Sequence, residues 1–308
     1  MTNPAPTTTS EPRRLPIRTR KLRLPFQTPP IPRHWHGGSP VATHLFNGVN
    51  LLFPYGERFF VRSVRHYLDA VKDDPELLAD IRGFFGQEGN HAREHERYFE
   101  VLESQGYEIR EFLDQFERSF AFLERRFPPV MHLAATAAAE HFTAIMARYA
   151  FQDRDFLENA HPTMRDLILW HAAEEIEHKA VAFDVLQKVA PSYPLRVAGF
   201  LLASAFLMFW WFRGVRMLLR QDGLSRAAIR EDAERLGRLR DELGVGERDI
   251  LRDVFLQGLR SYARPGFHPW DDDDRALVEE YVAELDAALA DPAPAKRADA
   301  DDPAKTAA

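Results

Sequence analysis

The chain has 308 residues, with 47 Asp plus Glu, 40 Lys plus Arg, 12 His and no Cys. Without cysteine there is no disulfide, no thiolate metal site, no cysteine-held iron–sulfur cluster and no thiol nucleophile. Any metal must rest on oxygen and nitrogen ligands, and the modest net charge of −7 argues against a nucleic-acid partner.

The charge is uneven. Residues 1–37 hold seven Lys/Arg against one Glu, and residues 271–308 hold twelve Asp/Glu against four Lys/Arg. Residues 1–40 also contain nine prolines and no long apolar run, so they lack the core of a secretory signal. We read 1–37 as a disordered, basic, Pro-rich leader. Its stretch from Arg13 to Arg23 has an acidic lipid surface or partner as the functional alternative. Residues 38–270 read as one helical domain, with a helical extension from about 194. Residues 271–308 read as an acidic helix followed by a disordered tail.

The pattern between the tails is helical throughout, which predicts an all-α fold. A first helix is expected from Ala42 to Lys72, ending at Asp73-Asp74-Pro75. A second runs from Pro75, a good first-turn residue, to Gln105, with Gly106 as its stop. Residues 107–127 read as a more polar connecting helix. A third long helix starts at Pro128-Pro129 and reaches Gln152. A fourth starts near Pro162 and ends before Pro191. Further helices are expected at 194–220, 225–243, 247–263 and 272–290.

Each long helix carries acid in an apolar setting. The first has Glu57 among Phe53, Phe59 and Phe60, and the second has Glu88 and His91 after Phe84 and Phe85. The third has Glu140 as the only acid of a small-residue run, and the fourth has Glu175 and His178. The order is Glu, Glu-x-x-His, Glu, Glu-x-x-His. At about 100° per residue, positions i and i+3 share a helix face, so each Glu/His pair can hold one metal. Six ligands suit two metals, and two divalent cations neutralise four carboxylates that would otherwise be costly to bury. The bland alternative is four amphipathic helices whose acids face water. Spacings of 31 and 35 residues fit two antiparallel pairs. The 52 residues between Glu88 and Glu140 leave room for one crossover through 107–127.

At these residues the chain resembles the ferritin-like di-iron carboxylate superfamily, which presents the same ligand order on a four-helix bundle. Within it, PYGERFF, FFGQEGNHAREH and HAAEEIEHKAVAFDV make the chain similar to a bacterial family of predicted metal-dependent hydrolases, over roughly 30–270. The resemblance implies a ferritin-like four-helix bundle with additional C-terminal helices and a dinuclear centre, of iron by preference, with manganese or zinc as alternatives. His171, Glu175 and His178 fall at i, i+4 and i+7, similar to the three-histidine site of di-iron arylamine N-oxygenases, so His171 is a candidate seventh ligand or a core histidine. His95, one turn beyond His91, is expected behind the ligands or along a channel. Glu174 is expected to orient His91, or else to pair with Lys179 in solvent. His141 points away from Glu140. His34, His36, His44, His66, His132, His161 and His268 have no paired acid at ligand spacing and are read as structural.

Val197 to Phe212 is uncharged over sixteen residues and flanked by Arg196, Arg213, Arg216 and Arg220. This is short for a membrane span of about 20 residues. A helix packed across the bundle is the first reading, an interfacial helix touching the membrane through 197–212 the second, and a true span the third. The chain is expected in the cytoplasm, with membrane association as the variant. The favoured chemistry is O2-dependent oxidation of an apolar or amphipathic small molecule. A metal-dependent hydrolase using a water between the metals is the alternative, and a non-enzymatic metal-binding helical protein the third.

Overall fold

The computed structural model describes residues 17–244, 256 and 258–290. Helices follow in the order α1 (Pro40–Asn50), α2 (Phe53–Arg65), α3 (Pro75–Ser104), α4 (Arg110–Arg126), α5 (Pro129–Gln152) and α6 (Arg154–Leu157). They continue with α7 (Pro162–His178), α8 (Val181–Val189), α9 (Tyr193–Gln221), α10 (Arg226–Glu242), α11 (Gly258–Tyr262) and α12 (Arg275–Ala290). The fold is all-α. There is no strand among the described residues, only an isolated antiparallel bridge between His36 and Ala160.

Starts and stops follow local chemistry. Asp74 accepts from the Leu77 amide and Pro75 opens α3, as its sequence suggests. Gly106 then takes φ +88, a left-handed conformation that glycine adopts without a Cβ clash. The expected first helix is two. Pro54 has no N–H to donate back to Asn50, and the chain turns at Leu51–Leu52 before α2 begins. The expected fourth helix is also two, interrupted at Lys179 and Ala180 just after His178. Of the helix expected over 247–263, Gly258–Tyr262 is helical, and most of the remainder lies outside the described residues.

The leader needs correction. Residues 1–16 lie outside the described residues, but from Ile17 the chain is bound to α3. Asn90 Nδ2 donates to the Arg20 carbonyl at 2.8 Å and Gln87 Nε2 to the Arg18 carbonyl at 3.1 Å. The Leu24 amide donates to Glu94 at 3.1 Å. Gly83 leaves the room Ile17 occupies, since a Cβ there would lie 2.5 Å from Ile17 Cγ2. Leu24, Phe26, Ile31 and Trp35 then join the main apolar core. The proline-rich composition describes an extended backbone; these apolar residues and Arg20 anchor it. The tail expected beyond α12, residues 291–308, lies outside the described residues.

A second anchor closes the other end. Asp222, just past α9, accepts from His34 Nε2 and His44 Nε2 at 2.7 Å each, from Tyr107 at 2.7 Å and from Arg33 at 2.9 Å. His34 and His44, which have no paired acid at ligand spacing, thus find one through the fold. Their acid lies nearly two hundred residues away, where no spacing rule reaches. Burial opposes ionisation of Asp222, but Tyr107, both histidines and Arg33 hold its pKa down at about 2.

Helix α9 packs by one face only. Gly199 lies on α5 so closely that a Cβ would be 2.6 Å from the Ala134 carbonyl carbon. Trp210, Trp211, Val215 and Leu218 are buried. The other face exposes Leu201, Phe209 and Phe212. α9 is the one described helix long and apolar enough to cross a membrane, and 28% of its most apolar stretch is buried. One side of α9 thus lies on the bundle, and an outward apolar face is left over.

Candidate metal centre

Glu57 comes from α2, Glu88 and His91 from α3, Glu140 from α5, and His171, Glu175 and His178 from α7. All seven are buried, none more than 4% exposed. Helical spacing turns each inward, and the structure brings them together. One group joins Glu57, His91 and His171, another Glu88, Glu175 and His178, with the potential ligand atoms of each within 4.8 Å. Two carboxylates span the groups. Glu175 Oε1 is 2.8 Å from His171 Nε2 and 3.8 Å from His91 Nδ1, while its Oε2 is 3.5 Å from His178 Nε2. Glu88 reaches His178 at 3.4 Å and His91 at 3.9 Å. Glu140 flanks the second group, 3.2 Å from His178 Nε2.

Most of the inward atoms are left without hydrogen bonds, the exceptions being His171 Nε2 and Glu175 Oε1, which bond each other at 2.8 Å. Both oxygens of Glu57, Glu88 and Glu140, Oε2 of Glu175, Nδ1 of His91 and Nε2 of His178 are buried and unbonded. A protein does not ordinarily leave so many polar atoms unsatisfied in one place. Two divalent cations would satisfy them and cancel the charge, so the donor set fits a metal pair.

The outward nitrogen of each histidine is bonded, as metal-bound histidines usually are. His91 Nε2 donates to Glu174 at 2.9 Å, the partner expected of Glu174. Lys179, the alternative partner, instead reaches Asp274. His178 Nδ1 is 2.8 Å from Gln87 Oε1. Gln87 turns its NH2 to Glu177 at 2.6 Å, so its oxygen faces His178 and sets the proton on Nδ1. His171 Nδ1 meets His95 Nε2 at 2.6 Å, and His95 Nδ1 meets Asn50 Oδ1. Asn50 Oδ1 can only accept. His95 thus donates from Nδ1 to Asn50 and accepts from His171 at Nε2, while His171 Nε2 faces Glu175 Oε1 at 2.8 Å on the inner side.

Arg20 locks this layer from the leader. It bonds Glu177 at 2.8 and 2.9 Å, Glu174 at 3.3 Å and Asp286 at 2.7 Å. Gln87, Asn50, Arg20 and Glu177 were missed from sequence. Gln87 beside Glu88 and Glu177 beside His178 were adjacent to the motif, but nothing local marks Arg20.

Charges in the centre are strongly shifted. Burial pushes Glu57 and Glu88 well above the usual carboxylate range, with neighbouring glutamates adding to it. Burial also carries Glu140 and Glu174 to about 7, against the pull of His178 and of Arg20 respectively. Burial and the neighbouring His171 hold His91 and His95 well below the usual histidine value. His178 is raised and Glu175 lowered, each against burial, because they face each other.

The family described as predicted metal-dependent hydrolase matches residues 18–273. The chain belongs to that family. Neither the curated proteins nor the solved structures include a match. The family's span begins where the leader meets α3 and includes every residue of the centre, so Arg20 lies inside it. Its description points to hydrolysis and to a metal, and the His/Glu groups accord with the metal. The oxidative chemistry expected from sequence has no such support.

A cavity meets the centre on one side. It is lined almost wholly by carbon, and Glu57 is the only one of the seven donor residues on its wall.

Proposed function

We propose that this chain is a metal-dependent hydrolase with a dinuclear centre on a ferritin-like helix arrangement. Glu57, His91 and His171 would hold one ion and Glu140 and His178 the other, with Glu88 and Glu175 between them. The observation that supports this most is the set of inward, unbonded donor atoms backed by hydrogen-bonded histidines. Bound ions would supply polarisation of a scissile group and a water of lowered pKa. The chain's own part is to orient three imidazoles through Glu174, Gln87 and His95. Its apolar walls exclude bulk water, and Glu57 is the donor that meets an arriving substrate. With Glu140 carrying a proton up to about pH 7 in the metal-free protein, metal uptake would release protons.

The test is elemental analysis of the purified protein with p-nitrophenyl ester hydrolysis in the zinc-, manganese- and iron-loaded forms. Two metals per chain and chelator-sensitive hydrolysis, both lost in Glu175→Ala, are expected. A folded protein that takes up no metal would refute the reading.

A second reading, O2-dependent oxidation at a di-iron pair, is favoured by one observation. The approach to the centre is lined almost wholly by carbon, and Glu57 and His132 are the titratable side chains on its wall. Oxygen uptake by the ferrous protein, without ester hydrolysis by any loaded form, would select it.

A further inference from the structure

The cavity beside Glu57 is narrow, with a volume of about 80 Å³. It lies among α2, α4, α5 and α9. On α5 the lining positions Ala135, Ala139, Thr143 and Met146 follow one helix face. From Ala135 to Met146 the wall follows α5 for about 16 Å. Phe116 and Phe120 of α4 and Phe206 of α9 form the opposite side, their rings in mutual contact with centroids 5.0 to 5.7 Å apart.

The walls offer almost nothing to a polar ligand. Thr143 donates its hydroxyl to the Glu140 carbonyl at 3.0 Å, and His132 turns its Nε2 toward the Leu123 carbonyl at 3.3 Å. Glu57 is the one remaining polar group, and it stands at the metal centre. A molecule with polar groups along its length would lose water there and gain no partner. A saturated chain loses nothing.

We propose that this cavity binds the unbranched aliphatic chain of an amphipathic substrate, an acyl or alkyl chain whose polar, reactive end lies at Glu57. The placement of the reactive end rests on the metal-centre reading; the binding of the chain does not. Chain length would then be what the cavity measures.

The experiment is displacement of 11-(dansylamino)undecanoic acid by saturated carboxylates of six to fourteen carbons. It uses the full chain, both metal-loaded and chelator-treated. Affinity should rise about fourfold per added methylene, the equivalent of about 0.8 kcal/mol, until the cavity is full. Ala203→Phe, and the milder Ala135→Leu, place new volume on its wall. Both should weaken dodecanoate at least tenfold with metal content and helical circular dichroism unchanged. Affinity independent of chain length would overturn the proposal, as would undiminished binding in both folded variants or tighter displacement by a rigid sterol acid than by dodecanoate. Chain binding by a protein that takes up no metal would sustain this inference and remove the metal-centre reading. Two bound metals with no chain-length dependence would do the reverse.

Discussion

Gln87→Met isolates the layer behind the centre. The substitution keeps side-chain length and removes the amide. In the native protein the Gln87 oxygen faces His178 Nδ1 at 2.8 Å, and its NH2 donates to Glu177 and to the Arg18 carbonyl. Glu177 keeps its two bonds from Arg20. The loss therefore falls on His178, which is fully buried, and whose Nδ1–H would have no strong acceptor. An orphaned buried donor costs about 1–3 kcal/mol of stability. Freed of Gln87, the imidazole can move its proton to Nε2, the atom that faces Glu88, Glu140 and Glu175. Losing such a supporting group lowers metal affinity about 10- to 100-fold, or roughly 1.4–2.8 kcal/mol. Competition against a chromophoric chelator at fixed pH measures it. The ion near Glu140 and His178 should weaken by that factor, and the one near His91 and His171 by less than threefold. A folded variant with both affinities within threefold of the parent would refute the role given to Gln87.

Removing the metals should lower thermal stability. At a thousandfold excess over Kd, binding contributes about 4.1 kcal/mol, which for a chain of this length corresponds to roughly 7 °C in Tm. Coincident melting curves with and without chelator would contradict the donor geometry. Gly199→Ala should destabilise the fold by about 1–3 kcal/mol in urea titration despite alanine's better helix propensity, because its Cβ meets Ala134 backbone at 2.6 Å. Unchanged stability would mean that α9 does not lie so close to α5. Asp222 has its pKa lowered from 3.8 to about 2, so its contribution is complete above pH 4 and is lost as pH falls through 2. The stability difference between the parent and D222N should shrink by roughly 2 kcal/mol between pH 5 and pH 2. A difference constant over that range would exclude the ionised Asp222 knot.

Helix faces were legible in sequence. Spacings of three and four residues place Glu88 with His91, and His171 with Glu175 and His178, on common sides, and a lone acid in an apolar run such as Glu140 has nowhere inexpensive to point but a shared centre. Those inferences need only helical periodicity and the cost of burying charge, which local sequence carries. Helix lengths were read less well. The pattern passes smoothly over Leu51–Leu52, yet Pro54 removes the bond that would continue the helix. The leader was read as solvated because proline and arginine describe composition, while Arg20 is buried by partners on α7 and α12.

The sequence by itself determined the all-α class and pointed to the candidate donor side chains, with His171 left open between ligand and core histidine, because both follow from residues a turn apart. Tertiary structure alone decided which carboxylates lie between the two donor groups, which nitrogen of each histidine faces them, and where a cavity reaches Glu57. Those depend on contacts between segments remote in the chain, such as Gln87 with His178, Arg20 with Glu177, and Asp222 with His34. Their distances are set by how the helices pack and not by any spacing along the sequence.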